Sequence, residues 1–215
     1  MKIRRLALLA AALAVLLSGI SAQAAGFEEL RAQCGAGEDL KAFLEIPGAG
    51  CVLPIMQRSG DDGFYLNHDP SGAESASGAL YTESAYNAAG FTDPVTVVYG
   101  RRMDDGSMFG SLQKWYSGSF DACRRILLHL PGETREYTAF AAIPFSATHI
   151  LYYNDFTNER AYNAFFDDVY AVRRLGMQLS ADLRPAYGEK VIILSTGLMG
   201  DSSQRYLVMA KQNIQ

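Results

Sequence analysis

The chain has 215 residues, 49% of them hydrophobic, and a formal net charge of −4. That is enough for one domain with a full core, and its acidic balance argues against nucleic acid or an anionic membrane surface as the main partner. The three cysteines, Cys34, Cys51 and Cys123, are odd in number and include no C-x-x-C pair.

Residues 1–24 read as a secretory signal: Lys2, Arg4 and Arg5 form a basic start, Leu6 to Leu17 an apolar stretch, and Ala22-Gln23-Ala24 a small-residue cleavage site. The apolar stretch is shorter than the roughly 20 residues of a spanning helix. Export with cleavage is therefore expected, with an uncleaved anchor as the alternative. Losing the leader's three cations takes the formal charge from −4 to −7 in a mature domain spanning residues 25–215. In an exported protein the odd cysteine count leaves one thiol unpaired or paired with another chain. Buried free thiols and a Cys34 to Cys51 disulfide are both compatible with the sequence.

Phe27 to Cys34 is predicted as a short helix. Apolar, β-branched runs bounded by Gly, Pro, Asn and Asp then recur at Cys51 to Met56, Val95 to Tyr99, Tyr137 to Ile143, Val191 to Ser195 and Tyr206 to Ala210. Two segments carry helical spacing instead: Met108, Leu112 and Trp115, and the stripe of Tyr162, Phe165, Phe166, Val169 and Val172 behind the cap candidates Asp155 and Thr157. The aromatic stripe is core packing in its simplest reading. No repeat or charge block divides the mature chain, and no further module is expected after Lys211. The pattern predicts a mainly β fold, barrel or sandwich, with peripheral helices. Asp61-Asp62, Asp104-Asp105 and Asp167-Asp168 lack a D-x-D-x-D-G or H-E-x-x-H context and read as solvated, so neither a metal nor another cofactor is expected.

Several ordered motifs carry a resemblance. Leu44-Glu-Ile-Pro-Gly48 precedes Leu53-Pro-Ile-Met-Gln57, followed by Tyr65-Leu-Asn-His-Asp69 and Ser77-Gly-Ala-Leu-Tyr81. Tyr99-Gly-Arg101, a long helix over Thr157 to Arg174, Val191-Ile-Ile-Leu-Ser-Thr-Gly197 and Arg205-Tyr-Leu-Val-Met-Ala-Lys211 complete the series. In order and spacing, residues 27–211 resemble class B sortases. The resemblance implies a closed, mostly antiparallel β-barrel with an N-terminal helix and a long helix inserted between late strands. It also implies a transpeptidase that joins surface or pilus proteins to the cell wall of Gram-positive bacteria. In that family a cysteine attacks the threonine carbonyl of a sorting signal to give a thioester, a histidine handles the proton, and an arginine steadies the oxyanion.

Carried over by position, Gly197 stands where the resemblance expects the cysteine, Arg101 where it expects the histidine, and Arg205 where it expects the arginine. Ser195, Thr196 and Leu66 fall at positions the resemblance assigns to substrate binding. Glycine supplies no nucleophile, and losing one from a coupled catalytic group costs on the order of 10⁶ in turnover. A guanidinium holds its proton at every relevant pH and cannot replace an imidazole. Ser195, Thr196, Ser202 and Ser203 are the nearest hydroxyls, but each needs an adjacent base, and His68, His129 and His149 occupy none of the expected base positions.

Two readings follow. One is an exported, non-catalytic pseudosortase that binds a sorting-signal peptide, a surface or pilus subunit, or an active sortase. The other is an active transpeptidase with a substitute nucleophile. Arg101 and Arg205 facing each other over Gly197 would suit a carboxylate or another oxyanion. Alternatively, Asp104, Asp105 or Asp201 neutralises them, and Arg205 is a surface ion pair with Asp201.

Overall fold

The computed structural model describes residues 27–112, 115 and 120–214. The leader at 1–24 lies outside them, and no helix among the described residues is long and apolar enough to cross a membrane. The elements run α1 (Phe27–Cys34), β1 (Leu40–Ile46), β2 (Cys51–Met56), β3 (Leu80–Tyr81), β4 (Val95–Tyr99), β5 (Arg125–Leu130) and β6 (Glu133–Ser146). They continue with α2 (Ile150–Tyr153), α3 (Glu159–Ala171), β7 (Gln178–Leu179), β8 (Val191–Leu198) and β9 (Asp201–Gln212).

Strand neighbours follow the order β5-β1-β2-β3-β4-β8-β9-β6, and β5 pairs again with β6, so these eight strands close a barrel while β7 adds to β6. Closure leaves no long edge strand open to intermolecular pairing. The β2–β3 and β4–β8 pairs are parallel and the others antiparallel. The expected barrel is therefore present, with α1 at its start and α3 between β6 and β7.

The period-two alternation of strand side chains sorts the apolar residues into three layers. Ile192, Leu194, Tyr206, Val208 and Ala210 point into the barrel with Leu44, Ile55, Val98 and Leu128. Their neighbours Val191, Ile193, Leu207 and Met209 point outward, with Val95 and Val97, against the aromatic stripe of α3. A third layer packs α1, through Phe27 and Leu30, on Phe43, Met56 and Tyr81. Phe166 is wholly buried and its ring lies 5.9 Å from Phe140 and 4.8 Å from Tyr162.

Some expected boundaries shift for local reasons. Asn158, not Asp155 or Thr157, caps α3: its side chain accepts from Ala161 N at 3.1 Å, satisfying a first-turn amide. Asp155 instead accepts from the amide and hydroxyl of Thr157 in the preceding turn. The helix stops at Ala171 because Val172 turns extended, short of the expected Arg174. The Met108–Leu112 spacing resolves into a 3₁₀ turn over Phe109–Leu112, preceded by Met108 at φ 50°. Trp115 is helical and buried, while 113, 114 and 116–119 lie outside the described residues. Cys34 is a free thiol 3.5 Å from Arg31 O, so the Cys34 to Cys51 bridge is not formed. The Cys51 sulfur accepts instead from Ser111 Oγ at 3.9 Å, and Cys123 is buried in the core.

Phe166→Ala should cost about 3–5 kcal/mol, the usual loss for truncating a fully buried phenylalanine. Denaturant unfolding at matched m-values checks this, with the far-ultraviolet signature of the barrel retained at zero denaturant.

Candidate functional site

The site residues come from three adjacent strands. β4 lies parallel to β8 with Tyr99 beside Ser195, and Gly100 N extends this pairing by donating to Ser195 O at 3.1 Å. β8 lies antiparallel to β9 with Gly197 beside Arg205. By alternation, Tyr99, Arg101, Ser195, Gly197 and Arg205 all belong to the outward-facing set at one end of the barrel. Gly100 belongs to the inward set: a Cβ there would overlap Leu80 Cδ2 and come within 2.6 Å of Phe109 Cδ2. Only glycine lets the chain pass from Tyr99 to the candidate residue Arg101 without displacing the core.

Gly197 is different. A Cβ built on it meets nothing within 4 Å, and its φ lies outside the left-handed region. The strand turns back at Met199-Gly200, where Gly200 has φ 81° and Leu198 pairs with Asp201. Ser202 and Ser203 are thus already in β9.

Arg205 is exposed, and among the described residues neither it nor Arg101 makes an ion pair. The three acids considered as neutralising partners are committed elsewhere. Asp104 pairs with Arg102 at 2.6 Å, while Asp105 accepts from Ser107 and Asp201 from Ser203. The hydrogen bonds from Ser203 hold the Asp201 carboxyl below its ordinary value.

Arg101 is engaged by the 66–67 segment. Its Nε donates to Leu66 O at 3.0 Å and its Nη2 to Asn67 Oδ1 at 2.8 Å. It therefore clamps the 66–67 segment to the end of β4, a role that the sequence offered no sign of. The partners are neutral, so its charge persists. Both guanidinium charges reach the Tyr81 hydroxyl and partly offset burial and the Glu83 charge, which push it up to about 12.

The substrate-binding candidates divide. Leu66 is 41% exposed at the rim, tied to Arg101 through its carbonyl. Ser195 faces the same way as Gly197 but is 3% exposed, so it lies beneath the site surface and does not line it. Thr196 faces the opposite way: it is 0% exposed, its hydroxyl unpartnered inside the barrel, and it is out of reach of a ligand on the outer face.

Sequence inspection also missed an aromatic wall. Tyr81 stacks on Tyr99 with centroids 5.4 Å apart, Tyr99 lies 6.4 Å from His149, and His149 lies 4.8 Å from Tyr86. Nδ1 of His149 accepts from Tyr152 N at 3.1 Å, so the ring proton sits on Nε2, which donates to Glu83. Burial and the Glu83 charge hold the Tyr99 phenol well above its ordinary value.

His68 is stacked on Phe64 and bonded to Phe64 O, and buried His129 is held between Glu45 and Thr134. No cluster of three His, Cys, Asp or Glu side chains that could hold a metal occurs among the described residues. A cavity of about 340 Å³ lies at the far end of the barrel, between Glu133–Glu136, Gly188–Lys190 and Gln212–Ile214, and shares no residue with the site.

No family model matches the chain. Sortase B of Listeria monocytogenes is 25% identical over 169 residues, covering 79% of this chain and 67% of that protein. Bacillus anthracis sortase B in complex with AAEK1 superposes with a TM-score of 0.72 at 22% identity, covering 87% of this chain and 85% of that one. A Staphylococcus aureus sortase B–substrate complex gives 0.72 at 19% identity, with coverages of 89% and 88%. The chain is a homologue of class B sortases. The sortase B likeness thus spans most of the chain.

The two glycines of this sortase-like site should respond oppositely. Gly100→Ala is expected to lower stability by about 1–3 kcal/mol through overpacking, whereas Gly197→Cys should stay within about 0.5 kcal/mol of the parent. Thermal unfolding checks both, and thiol titration of native Gly197→Cys should count one more accessible sulfur than the parent.

Proposed function

We propose that this protein is a non-catalytic member of the sortase family, exported to a Gram-positive-type cell surface, which binds a sorting-signal peptide or a surface or pilus subunit carrying one. The observation that carries this reading is the strand end at Gly197. It stands beside Arg205, as a sortase site would need, with no side chain to attack a carbonyl. A sortase mechanism asks for a thiolate, a proton carrier that titrates near neutrality and an oxyanion donor. Only the third has a candidate here.

Substitute chemistry lacks a base. The His149 imidazole has both nitrogens engaged, by Tyr152 N and Glu83, and it faces the tyrosines. Ser195 is covered and Thr196 faces the barrel interior. Arg101 holds the 66–67 segment in place. That role is structural and serves no proton transfer. That the similar S. aureus protein is known as a sortase B–substrate complex supports a peptide as the ligand class.

Purified protein should bind sorting-signal peptides in calorimetry yet release no product from a fluorogenic version in the presence of an amine acceptor. Turnover abolished by one Ser or Thr substitution would overturn the reading. The double variant Gly197→Cys with Arg101→His tests whether the groove still positions a peptide: cleavage by it supports a maintained groove, and a folded but inert variant that also fails to bind peptide counts against one.

A further inference from the structure

The surroundings of Arg205 carry the reading above one step further, to the chemistry of the group that the site takes. In an antiparallel pair, side chains directly opposite each other stand about 5 Å apart at Cβ. The Arg205 side chain therefore rises beside a position, Gly197, whose own side-chain space is empty out to 4 Å. A guanidinium presents two parallel N–H donors in a fixed plane, a geometry matched by the two oxygens of a carboxylate.

The acidic side chains near this end of the barrel make their hydrogen bonds to groups other than Arg205, and Glu83 Oε2 is left without one. Glu83 is held by His149, and Asp62 by the amides of Ser84 and Ala85 and the Ser84 hydroxyl. Asp104 is held by Arg102 and Asp201 by Ser203. Arg101 adds a second positive charge with neutral partners. The buried Tyr99 hydroxyl makes no well-formed hydrogen bond, Glu83 being its polar neighbour. Arg205 is thus an exposed guanidinium with no ion-pair partner among the described residues and with open space beside it.

We infer that Arg205 and the open space over Gly197 form a carboxylate subsite that receives the free C-terminus of a bound peptide. This rests on the peptide-binding reading of the same groove. A neutral scissile amide offers the guanidinium one oxygen, while a C-terminal carboxylate offers two and a full charge. The second oxygen occupies the volume left by the absent side chain. The Arg101 clamp closes the β4 side of the site onto Leu66 and Asn67, which suits a chain that ends here over one that passes through. The reaction that supplies such a ligand is hydrolysis of a peptide bond, which adds water across the amide and leaves a carboxylate on one fragment and an amine on the other.

Nuclear magnetic resonance titration of the whole folded protein tests this, following the Gly197 amide and the Arg205 Nε–H. The probes are N-acetylthreonine, its C-terminal amide, and N-acetylaspartic acid α-amide, which carries only a side-chain carboxylate. N-acetylthreonine should shift both signals and bind at least about 10-fold more tightly than its amide, the margin expected of a charge-assisted fork. Arg205→Ala should remove that preference, and Gly197→Val, which fills the space, should weaken the acid selectively. Equal binding of acid and amide would overturn the carboxylate subsite while leaving the peptide groove standing. Equal binding of the aspartate derivative would overturn the C-terminal assignment. Absence of any shift would overturn the subsite, and calorimetry with a full sorting-signal peptide then decides separately whether the groove reading survives. A preference for acid that persists in Arg205→Ala would remove Arg205 from the role.

Discussion

The parallel pairing of β4 with β8 is the constraint from which the site follows. Val95 to Tyr99 lie beside Val191 to Ser195 in unbroken register. Without it the sequence-distant segments around 100 and 197 would have no reason to meet. A slip of one residue would turn every side chain of one strand to the other face. Here it would bring Gly197 into the barrel and Thr196 out. Such a slip is strongly opposed, because both faces of β8 are buried: Ile192 and Leu194 inside, Val191 and Ile193 under α3. Two apolar layers thus fix which side of the strand end is presented to a ligand. The β8–β9 hairpin extends the same register to Arg205.

The electrostatic character of the site comes from what surrounds this scaffold. The turn at 104–107 and the first residues of β9 engage their aspartates with local hydroxyls and amides, a common use of Asp where the backbone reverses or has just reversed. Glu83 is drawn to His149. Each of these contacts is individually modest, and exposed pairs contribute at most about 1 kcal/mol. Their combined effect is to keep nearby acids from the two arginines.

How much of this the sequence displayed depended on whether the signal was local. The β-branched runs at 51–56, 95–99 and 191–195 identify strands because alternation and flanking turn residues are properties of neighbours in the chain. The stripe of α3 is legible for the same reason, although Asn158 outcompeted Asp155 and Thr157 as its cap through a contact to Ala161 that composition does not reveal. Strand β5 escaped the sequence reading: Ile126, Leu127, Leu128 and Leu130 form a mostly apolar run whose strand state is settled by pairing with β1 and β6. At the site, Gly197 and Arg205 were legible as neighbours because one hairpin joins them. The Arg101 contact to Leu66 and Asn67 spans 34–35 residues, and the Tyr99–His149 wall spans 50. Such long-range contacts leave no periodic trace, so the engagement of Arg101 by Leu66 and Asn67 was not legible.

Comparison among the glycines sharpens what is unusual about residue 197. At Gly48 an added Cβ would run into the Ala122 carbonyl, and at Gly78, with φ 61°, into the Tyr65 carbonyl. At Gly100 it would strike Leu80. At Gly48 and Gly78 the obstacle is backbone, and at Gly100 it is the packed side chains of Leu80 and Phe109. Gly197 has open space, ordinary φ and a position within a strand, where glycine costs roughly 0.5–1 kcal/mol relative to alanine through the freedom it loses on folding. Nothing in the packing asks for it, so the fold is no explanation of its presence. What glycine does provide at that point is volume beside Arg205. A side chain of any size would compete with a ligand for the guanidinium fork, and an acidic one would neutralise it. Gly197 is unnecessary to the barrel, and its lack of a side chain leaves open space beside the exposed Arg205.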